Sequence, residues 1–216
     1  MQFDFDKPVD RRNTASLKWD ACDALFKGTN LLPLWVADMD FPAPPAVLDA
    51  LNARTSHGVY GYTQEPKPKE LAPIADWTAI RHGHRMDPAC ISFAPGVVAS
   101  LFAAVQAFTK PGDSVIIQPP VYPPFFGAVR QAGRQVVENP MRRIGDRYEM
   151  DLDHLARNIS PSSKLFILCN PHNPGCRVSR PRAYKRPAAE LSLYSRSCML
   201  IRSISLFRLS FSRQAK

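Results

Sequence analysis

Between residues 90 and 169, short apolar runs alternate with longer segments of helical pattern, and most runs stop at a helix-hostile residue. Cys90-Ile91-Ser92-Phe93-Ala94 stops at Pro95-Gly96, and Ser114-Val115-Ile116-Ile117-Gln118 stops at Pro119-Pro120. Gln135-Val136-Val137-Glu138 follows, and Lys164-Leu165-Phe166-Ile167-Leu168-Cys169 stops at Asn170-Pro171. Runs this short, rich in Val, Ile and Phe, predict strands. The gaps read as helices: Val97 to Phe108, apolar almost all round, then one to Ala132, then one starting at Asp151 with acids near its N-terminus. Strands alternating with helices fold as a largely parallel sheet covered by those helices, an α/β architecture. No internal repeat interrupts the pattern.

The segment before it is less regular. Residues 1–45 contain Pro33, Pro42, Pro44 and Pro45. Ser16 is placed to cap a helix through Lys27, which Gly28 would end. Pro45 suits the first turn of a helix to His57 with Val47, Leu48 and Leu51 on its inner face. Gly58-Val59-Tyr60-Gly61-Tyr62-Thr63 is a glycine-hinged aromatic loop, and a helix is predicted from about Lys69 to Gly83.

Charge separates the chain into two parts. Residues 1–174 hold 18 Lys+Arg and 18 Asp+Glu, whereas residues 175–216 hold 10 Lys+Arg and one acid, Glu190, which accounts for the net charge of +9. Because the excess sits in the tail, it does not mark the body as a nucleic-acid or membrane binder, and neither partner is expected. The five scattered cysteines have no paired or CxxC spacing, which points to reduced thiols and a cytoplasmic address. The first residues show no basic and apolar leader pattern, and no apolar run approaches the ~20 residues that cross a bilayer.

In open α/β sheets ligands bind beyond the carboxyl ends of strands. Three such ends are unusual here. Gly96 would let backbone approach a ligand, with the free N–H groups of Val97 and Val98 aimed at an anion; a plain tight turn explains the same residues. Tyr122, held by prolines, suits stacking on a planar ligand, or is an ordinary tyrosine at a turn. Asn170 and Asn173 each precede proline and either offer a side-chain amide or build a turn. Asp38 and Asp40 are paired carboxylates or loop caps. His82-Gly83-His84 fits a solvated helix end better than a metal site, and no metal is expected.

Taken together, Trp35-Val36-Ala37-Asp38-Met39-Asp40-Phe41, His57-Gly58-Val59-Tyr60-Gly61-Tyr62, Pro119-Pro120-Val121-Tyr122 and Asn170-Pro171-His172-Asn173-Pro174 resemble the MalY/PatB-type cystathionine β-lyases (cysteine-S-conjugate β-lyases) of the fold-type I, pyridoxal-phosphate-dependent aminotransferase superfamily. The resemblance spans residues 1 to about 174. It implies part of a three-layer αβα large domain (residues 46–174) preceded by an arm or small-domain segment (residues 1–45). It also implies pyridoxal 5′-phosphate as cofactor, with Gly96, Val97 and Val98 at its phosphate, Tyr122 stacked on its ring and Asn173 at its phenolic oxygen. Tyr62 would reach the phosphate of a neighbouring subunit in a homodimer, and Trp35, Ala37 and Asp38 would lie near the entrance for an amino-acid substrate. The implied reaction is β-elimination of a thiol from cystathionine or a cysteine conjugate, with an aminotransferase of the same fold as the alternative.

The resemblance also implies a cofactor-bonding lysine, a carboxylate at the ring nitrogen and a substrate-binding arginine, all beyond the Asn-Pro turn. No aspartate follows Asp153, and the tail lysines Lys185 and Lys216 lack the expected Ser-rich context. Lys164 follows two serines but precedes a strand. A catalytic lysine is therefore not expected here, and the chain reads as a truncated, non-catalytic portion. Such a portion would leave an open edge beside its fourth strand, which predicts poor solubility or a molten state. Residues 175–216 carry eight Ser, eight Arg and one Gly, with Leu193, Leu200, Ile204, Phe207 and Phe211 spaced for one helical face. A natural basic tail would bind RNA or anionic membrane in a salt-sensitive way. The abrupt composition change instead suggests out-of-frame translation. Reading the coding DNA in the other frames after codon 174 is expected to restore an aspartate-bearing strand and a lysine-bearing loop; if no frame does, the explanation fails.

Overall fold

The computed structural model describes residues 4–83 and 85–179, together with the backbones of 197–202 and 205–209. The chain divides into two compact units, residues 1–70 and 71–216.

In the first unit, Ser16 caps α1 (Leu17–Asp20) by accepting from the Trp19 N–H. The single helix expected to Lys27 is split at Ala21, and α2 (Cys22–Phe26) ends on Lys27 in the left-handed conformation, φ 52°. Pro44 and Pro45 open α3 (Pro45–Ser56). Its expected inner face is not buried: Val47, Leu48 and Leu51 are 43–57% exposed, and no residue of α3 is buried. An apolar helix face is buried only where another element covers it, and within this unit none does.

α4 (Pro68–His82) starts three residues before the second unit and buries Leu71 and Ala75 although Pro73 sits inside it. The strand expected at Cys90–Ala94 is absent. Pro88–Cys90 form a short 3-10 turn, and residues 91–94 run outside any strand ladder, with Phe93 exposed. A strand is defined by its partner, and the edges of the observed sheet lie elsewhere.

That sheet contains β1 (Ser114–Ile117), β2 (Gln135–Glu138), β5 (Ser163–Cys169), β6 (Ser197–Arg202) and β7 (Ser205–Leu209), in the order β2-β1-β5-β6-β7. All pairs are parallel except β6 with β7. A hairpin of β3 (Arg142–Ile144) and β4 (Arg147–Glu149), turning at Gly145-Asp146, stands outside it. The tail residues 197–202 and 205–209 are strands rather than one helical face, and Leu200 and Phe207 are register partners across them. Leu193, Ile204 and Phe211 lie outside the described residues. The open edge expected beside the fourth strand is occupied: β6 satisfies the backbone groups of β5 from Leu165 to Cys169.

Side chains alternate along β1 and β5, so each strand feeds two cores. Val115, Ile117, Leu165, Ile167 and Cys169 pack with Leu101, Ala104 and Val105 of α5 (Val97–Phe108) and with Phe125, Ala128 and Val129 of α6 (Pro124–Gln131). Ile116, Phe166 and Leu168 face the other way, onto Leu155 of α7 (Leu152–Asn158). Helices on both faces make three layers, the arrangement that buried parallel strands require. The helix at 97–108 forms as expected but buries one face only: Leu101, Ala104 and Val105 are buried while Val98 is not.

Leu101 is 1% exposed at the centre of the larger core, and Ile80 is 82% exposed. In urea unfolding followed by far-UV circular dichroism, Leu101→Ala is expected to cost about 2–5 kcal/mol, and Ile80→Ala less than about 0.5 kcal/mol.

Candidate functional site

The parallel pairing of β1 with β5 delivers two chain segments to the same edge of the sheet. After β1 the chain enters Gln118-Pro119-Pro120-Val121-Tyr122, and after β5 it enters Asn170-Pro171-His172-Asn173. The Tyr122 N–H donates to the Asn173 carbonyl over 3.1 Å, joining the two segments. α5 starts beside them. Gly96 caps it with φ 153° and no side chain, a conformation that a residue with a Cβ rarely adopts, and an added Cβ would meet nothing within 4 Å. The Gly96 carbonyl accepts from the Ser100 N–H and hydroxyl, while the first N–H groups of α5 have no partner inside the helix.

These segments enclose a pocket of about 240 Å³ lined by Val97, Val98, Leu101, Tyr122, Phe125, Cys169, Pro171 and Asn173. Four residues singled out from sequence, Val97, Val98, Tyr122 and Asn173, thus share one cavity, and Gly96 precedes the first of them. The Tyr122 ring is half exposed. The two asparagines differ. The Asn170 amide is spent on Ser179, accepting from its N–H over 2.9 Å and donating to its carbonyl over 3.3 Å, so it builds the turn. The exposed Asn173 side-chain amide makes no hydrogen bond among the described residues and is free to meet a ligand.

Cys169, Leu101, Phe125 and Pro171 were not singled out from sequence, because apolar lining looks the same as core in a linear pattern. The Cys169 thiol donates to the Pro171 carbonyl and accepts from the Asn173 N–H, and burial pushes its pKa up, so it stays a thiol. Lys164 is five residues upstream of Cys169, about 16 Å along the strand, much farther than a lysine side chain reaches. By the strand's alternation it also shares the α7 face with Phe166 and Leu168, opposite the pocket. No lysine or carboxylate is among the pocket's lining residues.

In the first unit, Trp35, Ala37 and Asp38 belong to a segment fixed by polar contacts. Asp40 accepts from Lys18 Nζ (2.7 Å), Trp19 Nε1 (2.8 Å) and the Arg11 guanidinium (2.7 Å), while Asp38 accepts from Arg11. Lys18 also donates to the Asp38 carbonyl, and Trp35 Nε1 donates to the Lys18 carbonyl. Ala37 is exposed. The paired carboxylates therefore serve structure. The hydrogen bonds from Lys18, Trp19 and Arg11 hold the Asp40 carboxyl far below its usual pKa. Tyr62 is fully exposed. His82 packs edge-on against Trp77, and His84 lies outside the described residues.

A family model for aminotransferase class I and II matches residues 29–186. The chain belongs to that family. It is 49% identical over 174 residues to the cystathionine beta-lyase PatB of Bacillus subtilis, covering 80% of this chain and 45% of that protein. It is 32% identical over 177 residues to protein MalY of Escherichia coli, covering 82% and 45%. Among solved structures, it matches cystalysin from Treponema denticola, described as containing a pyridoxal 5′-phosphate cofactor, with TM-score 0.82 and 33% identity, covering 93% of this chain and 51% of that one. The chain spans about half the length of the curated relatives it matches. The candidate pocket lies beyond the carboxyl ends of β1 and β5, where open α/β sheets bind ligands. Among the described residues, no helix is long and apolar enough to cross a membrane.

The Asp40 network has a defined acid response. Because its folded-state pKa is depressed, Asp40 contributes its full stabilisation above the unfolded value near 3.8 and loses it as pH falls below that point toward the lower folded value. Tryptophan fluorescence of the chain is expected to report loosening of the first unit between about pH 4 and stronger acid. Asp40→Asn is expected to show that signal already at neutral pH and to lack the acid step.

Proposed function

We propose that this chain anchors pyridoxal 5′-phosphate for a carbon–sulfur β-lyase acting on cystathionine or a cysteine S-conjugate. The observation that carries the reading is the single cavity shared by Val97, Val98, Tyr122 and Asn173. The chemistry of these groups fits the two ends of the cofactor. The N–H groups of Val97 and Val98, at the positive end of α5 and next to a glycine with open space around it, would hold the phosphate. The half-exposed Tyr122 ring would cover one face of the pyridine. Asn173, whose side-chain amide is uncommitted, would donate to the phenolic oxygen. Leu101 and Phe125 give the cavity an apolar floor that keeps water from the ring.

The cofactor, when bound, supplies an electron sink at the substrate's α-carbon, from which a thiol can depart. With water, the products of the whole reaction are a thiol, pyruvate and ammonia. The pocket-lining residues supply neither a cofactor-bonding lysine nor a carboxylate for the ring nitrogen, so the chain by itself is proposed to bind without turning over. Trp35 and Ala37 are proposed to lie on the substrate side. Asp38 would act there through the order that Arg11 imposes on its segment. The exposed Tyr62 is proposed to meet the phosphate of a second subunit, in a cytosolic homodimer. An aminotransferase is the second reading, because phosphate anchoring and ring stacking serve both reactions and the family description covers transamination.

Pyridoxamine 5′-phosphate tests the pocket without covalent attachment. Fluorescence titration of the purified chain is expected to show saturable binding. Tyr122→Ala is expected to weaken it by roughly three- to tenfold, and addition of a cysteine conjugate is expected to release no pyruvate. Absence of binding at millimolar ligand would sink the anchoring reading, and pyruvate release by this chain would overturn its non-catalytic half.

A further inference from the structure

The ladder between β1 and β5 ends at Ile116 and Phe166, before either loop reaches the pocket. Beyond it, side-by-side placement of Tyr122 and Asn173 has to come from other bonds. One is the Tyr122 N–H to the Asn173 carbonyl. The other comes from His172, whose Nε2 lies 2.9 Å from the Pro120 carbonyl across 52 residues of sequence. A carbonyl only accepts, so Nε2 carries the proton and donates. The imidazole is 4% exposed and does not line the pocket. Its own backbone is fixed as well, since the His172 N–H donates to the Arg177 carbonyl over 2.7 Å. Gly175 packs so tightly on the ring that an added Cβ would lie 2.8 Å from His172 Cδ2.

We propose that His172 is a positioning residue. By donating from Nε2 to Pro120, it holds the loop of Tyr122 against the loop of Asn173, so that ring and amide address one ligand. The proposal rests on the reading of this cavity as the cofactor cradle and names what keeps the cradle closed. Only the placement of the Nε2–H matters, because the ring itself touches no ligand.

The test compares His172→Gln, whose amide nitrogen reaches the place of Nε2, with His172→Asn, whose shorter side chain does not. Both are polar and similar in size, and both are measured in the full chain by titration with pyridoxamine 5′-phosphate. His172→Gln is expected to bind within about twofold of the parent, and His172→Asn roughly tenfold more weakly. In an Asn173→Ala background, His172→Asn is expected to add less than about threefold, because it acts through the contact already removed. Equal binding by the Asn and Gln variants, or a full additional loss in the Asn173→Ala background, would overturn the proposal. Nitrogen NMR of the parent chain gives a second readout that needs no variant. The His172 imidazole is expected to be protonated at Nε2, and a ring protonated only at Nδ1 would overturn the clamp. If the parent binds no ligand, the cradle reading fails while the NMR result still decides the clamp.

Discussion

The parallel pairing of β1 with β5, sealed on both faces, is the constraint from which the rest follows. Parallel strands present their carboxyl ends on the same side, so the chain leaving each strand emerges beside the other. Here that geometry brings the loops of Tyr122 and Asn173 out on the same side of the sheet, where bonds between the loops set the two residues together and the N-terminus of α5 lines the same pocket. Removing either strand from the ladder would separate the groups by sequence distances that no side chain spans. The cores on the two faces, built on Leu101 and Phe125 on one side and Leu155 on the other, hold the strands flat against their helices and give the loops a rigid base.

The two units are held by different forces. Residues 71–179 bury aliphatic and aromatic side chains between layers. Residues 4–70 bury few, and their order centres on a carboxylate, Asp40, that gathers Arg11, Lys18 and Trp19. Such a network is directional where an apolar core is not. It fixes the course of residues 35–41 while leaving Leu34 and Met39 largely exposed.

Much of the second unit was readable from its residues, because apolar runs closed by proline or asparagine leave few alternatives. β1, β2 and β5 fall where Ser114, Gln135 and Lys164 begin such runs, within a residue. Pattern alone does not report what a segment packs against. Ile91 to Ala94 have the composition of a strand but no partner in the described sheet, and Val47, Leu48 and Leu51 have a helical stripe but no cover. The β3–β4 hairpin escaped notice because its strands carry Arg142, Arg143, Arg147 and Glu149, although Gly145-Asp146 is a recognisable two-residue turn. In the pocket, Tyr122 and Asn173 were marked by neighbouring prolines. Cys169 resembled any strand residue, and His172 gains its role only from a carbonyl 52 positions away.

The central claim is that the amides opening α5, the Tyr122 ring and the Asn173 side chain form one site for a phosphorylated pyridine. Mapping backbone and side-chain amide resonances of the chain as pyridoxamine 5′-phosphate is added tests this most directly. The account predicts that the Val97 and Val98 N–H signals and the Asn173 side-chain NH₂ shift together along one saturation curve. Shifts confined to the arginine-rich surface around Arg147 and Arg177, with those three signals unmoved, would contradict it.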